Sequence, residues 1–237
     1  MTNCSATARF SINRAQRGRY THAMAGASTN APVRPATLPR LILASSSPRR
    51  RELLARHGVA HEAVDPAIDD ALLSPGSVPP HAWVASLAYL KAASVAASLD
   101  AADAADAAVI LAADTLCFKD GELLGQPRDE ADAERIIRML QGGSHRVLTG
   151  VALVCPRTGR RDLFTDPATV SLGIVGDDRI AGYIASGGWR GKAGAYNYAE
   201  RLADGWPLSC DGDPESVMGL PVRRVLQRLE TFARSAA

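Results

Sequence analysis

Three features of the sequence predict an α/β fold with a mixed sheet. Short apolar runs, Leu41–Ala44 and Ala108–Ala113, alternate with helical stretches along the chain. The first helical stretch is framed by Ser47, Pro48 and Gly58, and the one over Asp129–Leu140 stops at Gly142-Gly143. A chain of 237 residues, 46% of them apolar, can also bury one core of good size.

The elements follow in order. Residues 1–38 are rich in Ala, Ser, Thr, Asn and Arg and lack periodicity, so they are expected to be a disordered or dispensable extension. Their acid-free, Arg-rich composition fits a transit peptide, and equally a start codon assigned too far upstream. Residues 39–237 are expected to form one domain. Leu41–Ala44 reads as a buried strand and Arg49–His57 as a helix, with Ser47 as N-cap, Pro48 at the first helical position and Gly58 as the stop. Val59–Val64 is a second strand, and Asp69-Asp70 lies in the loop after it. A long Ala-rich helix over His81–Leu99 carries Lys91. Asp100–Ala107 is a surface connection, and the strand Ala108–Ala113 ends at Asp114-Thr115. Leu116–Leu124 forms a hairpin around Lys119-Asp120-Gly121. A helix over Asp129–Leu140, strands near 145–155 and 161–175, a helix near 177–186 and a final helix over 221–234 complete the pattern, with an irregular segment before the last.

Charge narrows the partners. Six of the 27 basic side chains fall in residues 1–40, which hold no acid, so residues 41–237 carry 21 basic against 25 acidic groups. A body of that sign, only 5% aromatic, lacks the basic area and stacking platforms of a nucleic-acid binder. No apolar run approaches the roughly 18 residues that cross a bilayer, so no membrane partner is expected. Cys4, Cys117, Cys155 and Cys210 are far apart, which predicts reduced thiols in a reducing, cytoplasmic compartment and no zinc site.

Several groups could carry chemistry. The strand–Ser45-Ser46-Ser47-Pro48-Arg49-Arg50-Arg51–helix element offers unpaired first-turn amides, hydroxyls and guanidinium groups to an anion, although the spacing alone also fits a capped helix with solvated arginines. Asp114, closing a buried strand, sits where α/β proteins meet ligands; it could orient a water, hold a metal, or merely cap a turn. Only three basic residues are lysines, and a retained Lys suggests a site wanting a compact charge. Lys119 reads as a turn residue, whereas Lys192, in Gly191-Lys192-Ala193-Gly194, sits among residues too small to occlude it. His145 reads as structural.

The order of these pieces resembles the Maf family of nucleoside triphosphate pyrophosphatases over essentially all of 41–230. The matching segments are L-I-L-A-S-S-S-P-R-R-R-E-L-L at 41–54, I-D-D at 68–70, L-K-A at 90–92, A-D-T at 113–115, G-Q-P-R-D at 125–129, S-H-x-V-x-T-G at 144–150, G-K-A-G-A-Y at 191–196 and V-M-G-L-P at 217–221. The resemblance implies an elongated mixed sheet flanked by helices, two lobes with a cleft, and a fold similar to the inosine-triphosphate pyrophosphatases. It implies hydrolysis of a nucleoside triphosphate to monophosphate and pyrophosphate, house-cleaning of the nucleotide pool, a divalent cation (Mg²⁺ or Mn²⁺) and a homodimer. By position, Asp114 would accept the proton of the attacking water and, with Asp70, hold the metal. Ser45, Ser47, Arg50, Lys91 and Lys192 would bind phosphates, and Arg49 and Thr115 lie where base preference is set.

The chain departs from the family at two binding positions. Gln126 stands where the family has the lysine of G-K-P, and Ala199 where the thymidine/uridine branch has a base-reading Gln; Tyr198 or Glu200 are candidates to replace that contact. Arg49, Thr115 and A-G-A-Y lean toward dTTP and UTP. The competing readings are an inosine-triphosphate-type pyrophosphatase and a nucleotide-binding regulator of cell division or septum formation with weak turnover.

Overall fold

The computed structural model describes residues 39–69, 72–100 and 109–234. The expectations for residues 1–38, for Asp70 and for the connection over 101–107 lie outside the described residues.

The sheet is mixed and seven-stranded, in the order β2 (Glu62–Val64), β1 (Leu41–Ala44), β3 (Val109–Lys119), β5 (Gly143–Val154), β6 (Arg161–Leu172) and β7 (Leu208–Asp211), with β4 (Glu122–Leu124) also paired to β3. It opens with β1 (Leu41–Ala44), α1 (Pro48–Arg56) and β2 (Glu62–Val64), and β1 lies parallel to both β2 and β3. Gly58, at φ 68°, takes the left-handed turn that ends α1, as its sequence position implies. Ser47 occupies the N-cap position, but its hydroxyl makes no capping bond; its amide donates instead to Ser45 Oγ at 3.2 Å. The expected cap chemistry is therefore corrected. The bond moves two residues back and ties down the loop itself.

α2 (Pro80–Ser98) lies over the sheet, against β3 and β5. It packs Ala88, Ala92 and Val95 against Ile42, Ile110 and Ala152. Its approach depends on Gly150, where a Cβ would run into the Val84 carbonyl. β3 (Val109–Lys119), β5 (Gly143–Val154) and β6 (Arg161–Leu172) are long and antiparallel. β3 continues well past the end expected from its apolar run, so Asp114 and Thr115 lie inside the strand. Beyond Ala113 polar and apolar residues alternate irregularly, Asp114 and Thr115 being followed by Leu116, Cys117, Phe118 and Lys119, so the apolar run ends while the pairing to β5 continues. β3 turns at Asp120-Gly121, both at positive φ, into β4 (Glu122–Leu124).

α3 (Glu130–Leu140) is capped by the Asp129 carboxylate, which accepts from the Asp132 amide at 2.8 Å. α4 (Asp177–Ala185) follows β6. The segment read as irregular contains α5 (Tyr198–Ala203), β7 (Leu208–Asp211) and α6 (Pro214–Val217), and α7 (Val222–Arg234) ends the described chain.

Two lobes share the three long strands. In the first, Leu43, Leu111, Ala113 and Val151 meet Leu53 and Leu54 of α1 and Val225 and Leu229 of α7 on one face, while α2 covers the other. In the second, α3, α4 and Trp206 pack around Cys117, Val147, Val170 and Leu172.

Candidate active site

The lobes meet at a break in strand pairing. β5 occupies one edge of β3 from Ile110 to Phe118. The other edge is shared: β1 pairs as far as Leu111, and β4 begins at Cys117. Among the described residues, no strand covers positions 112–116 on that edge. Asp114 and Thr115 sit in this window and point to opposite faces, as successive strand residues must.

Asp114 extends the Ile110–Ala112 row toward α2. Its Oδ1 accepts from Lys91 Nζ at 2.5 Å, and the two side chains are 8% and 13% exposed. An ammonium carries three donors, so Lys91 can hold this carboxylate and still face an anion.

Thr115 extends the Leu111–Ala113 row toward α1 and α6. Its Oγ1 lies 3.3 Å from Arg50 Nη2 and 2.9 Å from Thr149 Oγ1. Arg50 Nη1 donates to Ser45 Oγ at 3.2 Å, and its Nε to the Gly219 carbonyl at 2.9 Å. The guanidinium is thus gripped from three directions, by the end of β1, by β3 and by the loop after α6. Thr149 donates its only hydroxyl proton to the Ser216 carbonyl at 2.7 Å. In the Thr115–Thr149 pair the donor must therefore be Thr115. Thr115 has no proton left for a base, and toward a ligand it can only accept.

The second lobe closes on the same place. Arg49 Nη2 reaches across to the Gly191 carbonyl at 3.2 Å. Burial lowers the Arg49 pKa, opposed by the nearby charge of Glu200, yet a guanidinium stays ionised at any ordinary pH. The Gly194 amide donates to the Gly125 carbonyl at 3.1 Å, which sets the Gly191–Gly194 loop beside exposed Gln126. Gly194, at φ 71°, has no room for a Cβ, which would meet Cys117 Sγ at 2.5 Å. Lys192 Nζ donates to Glu200 Oε2 at 2.6 Å, the lysine 15% and the glutamate 48% exposed.

Contacts thus join Ser45, Ser47, Arg50 and Thr115 into one group, Lys91 and Asp114 into a second, and Arg49, Gln126 and Lys192 border the third. Asp70 lies outside the described residues. Of the two candidates for the missing base contact, Tyr198 is buried in the second core and is corrected to a packing residue, while Glu200 stands at the site. Lys119 is also corrected: its Nζ donates to the Met139 carbonyl at 2.6 Å and so caps α3. His145 is buried with Nε2 3.0 Å from Tyr196 Oη, as a structural histidine would be. Burial pushes the Cys117 thiol up to about 12, so it is inert as a nucleophile. Of the supports, Thr149 and Gly219 fall within the T-G and V-M-G-L-P segments and Ser216 within neither, and no local pattern marks any of the three as a support.

Among the described residues, no three His, Cys, Asp or Glu side chains gather as a metal cage. One or two carboxylates opposite a polyphosphate is the donor set that Mg²⁺ favours, since phosphates and waters fill its remaining positions. Asp114 fits that mode.

The Maf-like protein family model matches residues 40–232. The chain belongs to the Maf-like family. Its relatives include the dTTP/UTP pyrophosphatase of Salinibacter ruber, 42% identical over 190 residues, which are 80% of this chain and 89% of that protein. The dTTP/UTP pyrophosphatase of Caulobacter vibrioides is 41% identical over 81% of this chain and 94% of its own. That of Anaeromyxobacter sp. is 41% identical over 80% and 88%. The match to the Maf-like family spans both lobes, so every site group described above lies within it. No helix among the described residues is long and apolar enough to cross a membrane.

Proposed function

We propose that this chain is a nucleoside triphosphate pyrophosphatase acting on dTTP and UTP, with residues 39–237 as the working domain. The observation that carries the reading is the Asp114–Lys91 ion pair, set between two clusters of basic groups in the window of β3 where, among the described residues, no strand pairs on one edge.

Asp114 takes the proton of a water attacking the triphosphate, and pyrophosphate departs with the bonding electrons as the monophosphate forms. Lys91, Arg50 and the first turn of α1 receive phosphate oxygens; Lys192 approaches from the second lobe. Asp114, with Asp70, would hold a divalent cation, which neutralises charge on the phosphates when bound. The net charge of a triphosphate, about four negative, explains why one chain gathers cations from three separate segments. Arg49 and Glu200 border the end of the site beside the Gly191 loop, where the base is expected.

A panel of standard and deaminated triphosphates, assayed for pyrophosphate release with Mg²⁺ or Mn²⁺, tests this. Release from dTTP and UTP, lost on adding EDTA, is expected. A preference for inosine or xanthosine triphosphate would favour the purine house-cleaning alternative, and tight binding without release would favour a regulator.

A further inference from the structure

Arg50 belongs to a closed ring of hydrogen bonds. Its Nη2 donates to Thr115 Oγ1 at 3.3 Å, and Thr115 donates to Thr149 Oγ1 at 2.9 Å. Thr149 donates to the Ser216 carbonyl at 2.7 Å. That carbonyl also accepts the Gly219 amide at 2.9 Å, and the Gly219 carbonyl accepts Arg50 Nε at 2.9 Å. The ring thus runs from the guanidinium through two threonines and one turn of backbone to the guanidinium again. Every proton in it has one possible direction, because the Ser216 and Gly219 carbonyls can only accept.

We propose that Thr149 is a positioning residue for Arg50: its hydroxyl locks the ring that fixes the guanidinium at the phosphate side of the cleft. This rests on the pyrophosphatase reading above. Thr149 is fully buried and is paired across β5 and β3 with Thr115, so it never meets substrate. It does three things at once. It supplies the acceptor for the Thr115 proton, which turns a Thr115 lone pair toward Arg50. It holds the Ser216 carbonyl, and with it the α6 turn that presents Gly219. Gly219 itself must be glycine, at φ 107°, with Arg50 Nε and Thr115 Oγ1 both 3.4 Å from where a Cβ would stand. Ser216 is fully buried too, and its own hydroxyl donates to the Asp166 carbonyl at 3.1 Å, so the turn is anchored from the β6 side as well. A buried, fully satisfied polar ring of this kind specifies one geometry, and removing one member leaves the others to reorganise.

The test compares Thr149→Val, which keeps shape but loses the hydroxyl, with Thr149→Ser, which keeps the hydroxyl, each alone and combined with Arg50→Ala. Thr149→Val is expected to lower kcat/KM for dTTP about tenfold, the size of one neutral hydrogen bond. Thr149→Ser should stay within about twofold of the parent, and Thr149→Val should add less than about twofold once Arg50 is gone. Should Thr149→Val fail to fold, Thr149→Cys, which replaces the hydroxyl by a weakly bonding thiol, takes its place in the cycle. Equal activity of Thr149→Val and the parent, or an equal loss with and without Arg50, would overturn the proposal. A parent chain that binds dTTP without releasing pyrophosphate sinks the pyrophosphatase reading instead, and the same cycle measured by nucleotide binding then decides the ring.

Discussion

Lys91 and Asp114 meet at 2.5 Å beneath a helix, with 13% and 8% of their side chains exposed. One comes from the middle of α2 and the other from the middle of β3, so the register of a helix on a sheet sets the position of the candidate base. Asp114→Asn preserves the shape and a hydrogen-bond acceptor but cannot take a proton. Turnover should fall about 10²- to 10⁴-fold with nucleotide binding kept. Lys91→Met strands the carboxylate in a buried place and should cost about 3 kcal/mol in urea unfolding.

The same register makes Gly150 a second point of control. A Cβ there would strike the backbone of Val84 and Ala85, which cannot move without shifting α2. Gly150→Ala should lose about 2 kcal/mol of stability. Activity should fall further than stability accounts for, because Lys91 moves with its helix; kinetics at a temperature well below the melting point separate the two effects.

Lys192 and Glu200 form a partly exposed pair on the second lobe. Glu200 neutralises a lysine that the triphosphate needs, so Glu200→Gln should lower KM by a few fold, and Lys192→Ala should raise it. Neither change should shift stability by more than about 0.5 kcal/mol, as is usual for exposed pairs.

His145 gives the fold a pH dependence. Burial, with Lys119 nearby as a lesser cause, lowers its pKa from 6.5 to about 4. The unfolded chain therefore binds a proton between pH 6.5 and 4 that the folded chain refuses. Its stabilising contribution is complete above pH 6.5 and is lost as pH falls toward 4, by about 3 kcal/mol in total. Urea midpoints across that range, parent against His145→Gln, should diverge at high pH and converge at low pH.

Much of this architecture is legible in the residues because its signals are local. Gly58 stops α1, Asp129 caps α3 and Asp120-Gly121 turns β3 into β4, each through its own backbone or side chain. The end of β3 is not legible, because the apolar run stops where one face becomes the cleft while pairing to β5 continues. α5, α6 and β7 are only 6, 4 and 4 residues long, too short to show a period. The Arg50 ring joins residues as far as 169 positions apart, so nothing near any one of them announces it. Order and spacing along the chain mark the candidate site residues; most of the bonds that hold them run between segments far apart in sequence.

The most direct measurement is ³¹P NMR of dTTP incubated with Mg²⁺ and either the parent chain or Asp114→Asn. The parent should convert dTTP to dTMP and pyrophosphate with no orthophosphate, and Asp114→Asn should leave the triphosphate signals unchanged over the same time. Release of orthophosphate with dTDP, or equal turnover by both proteins, would contradict a cleft built around Asp114.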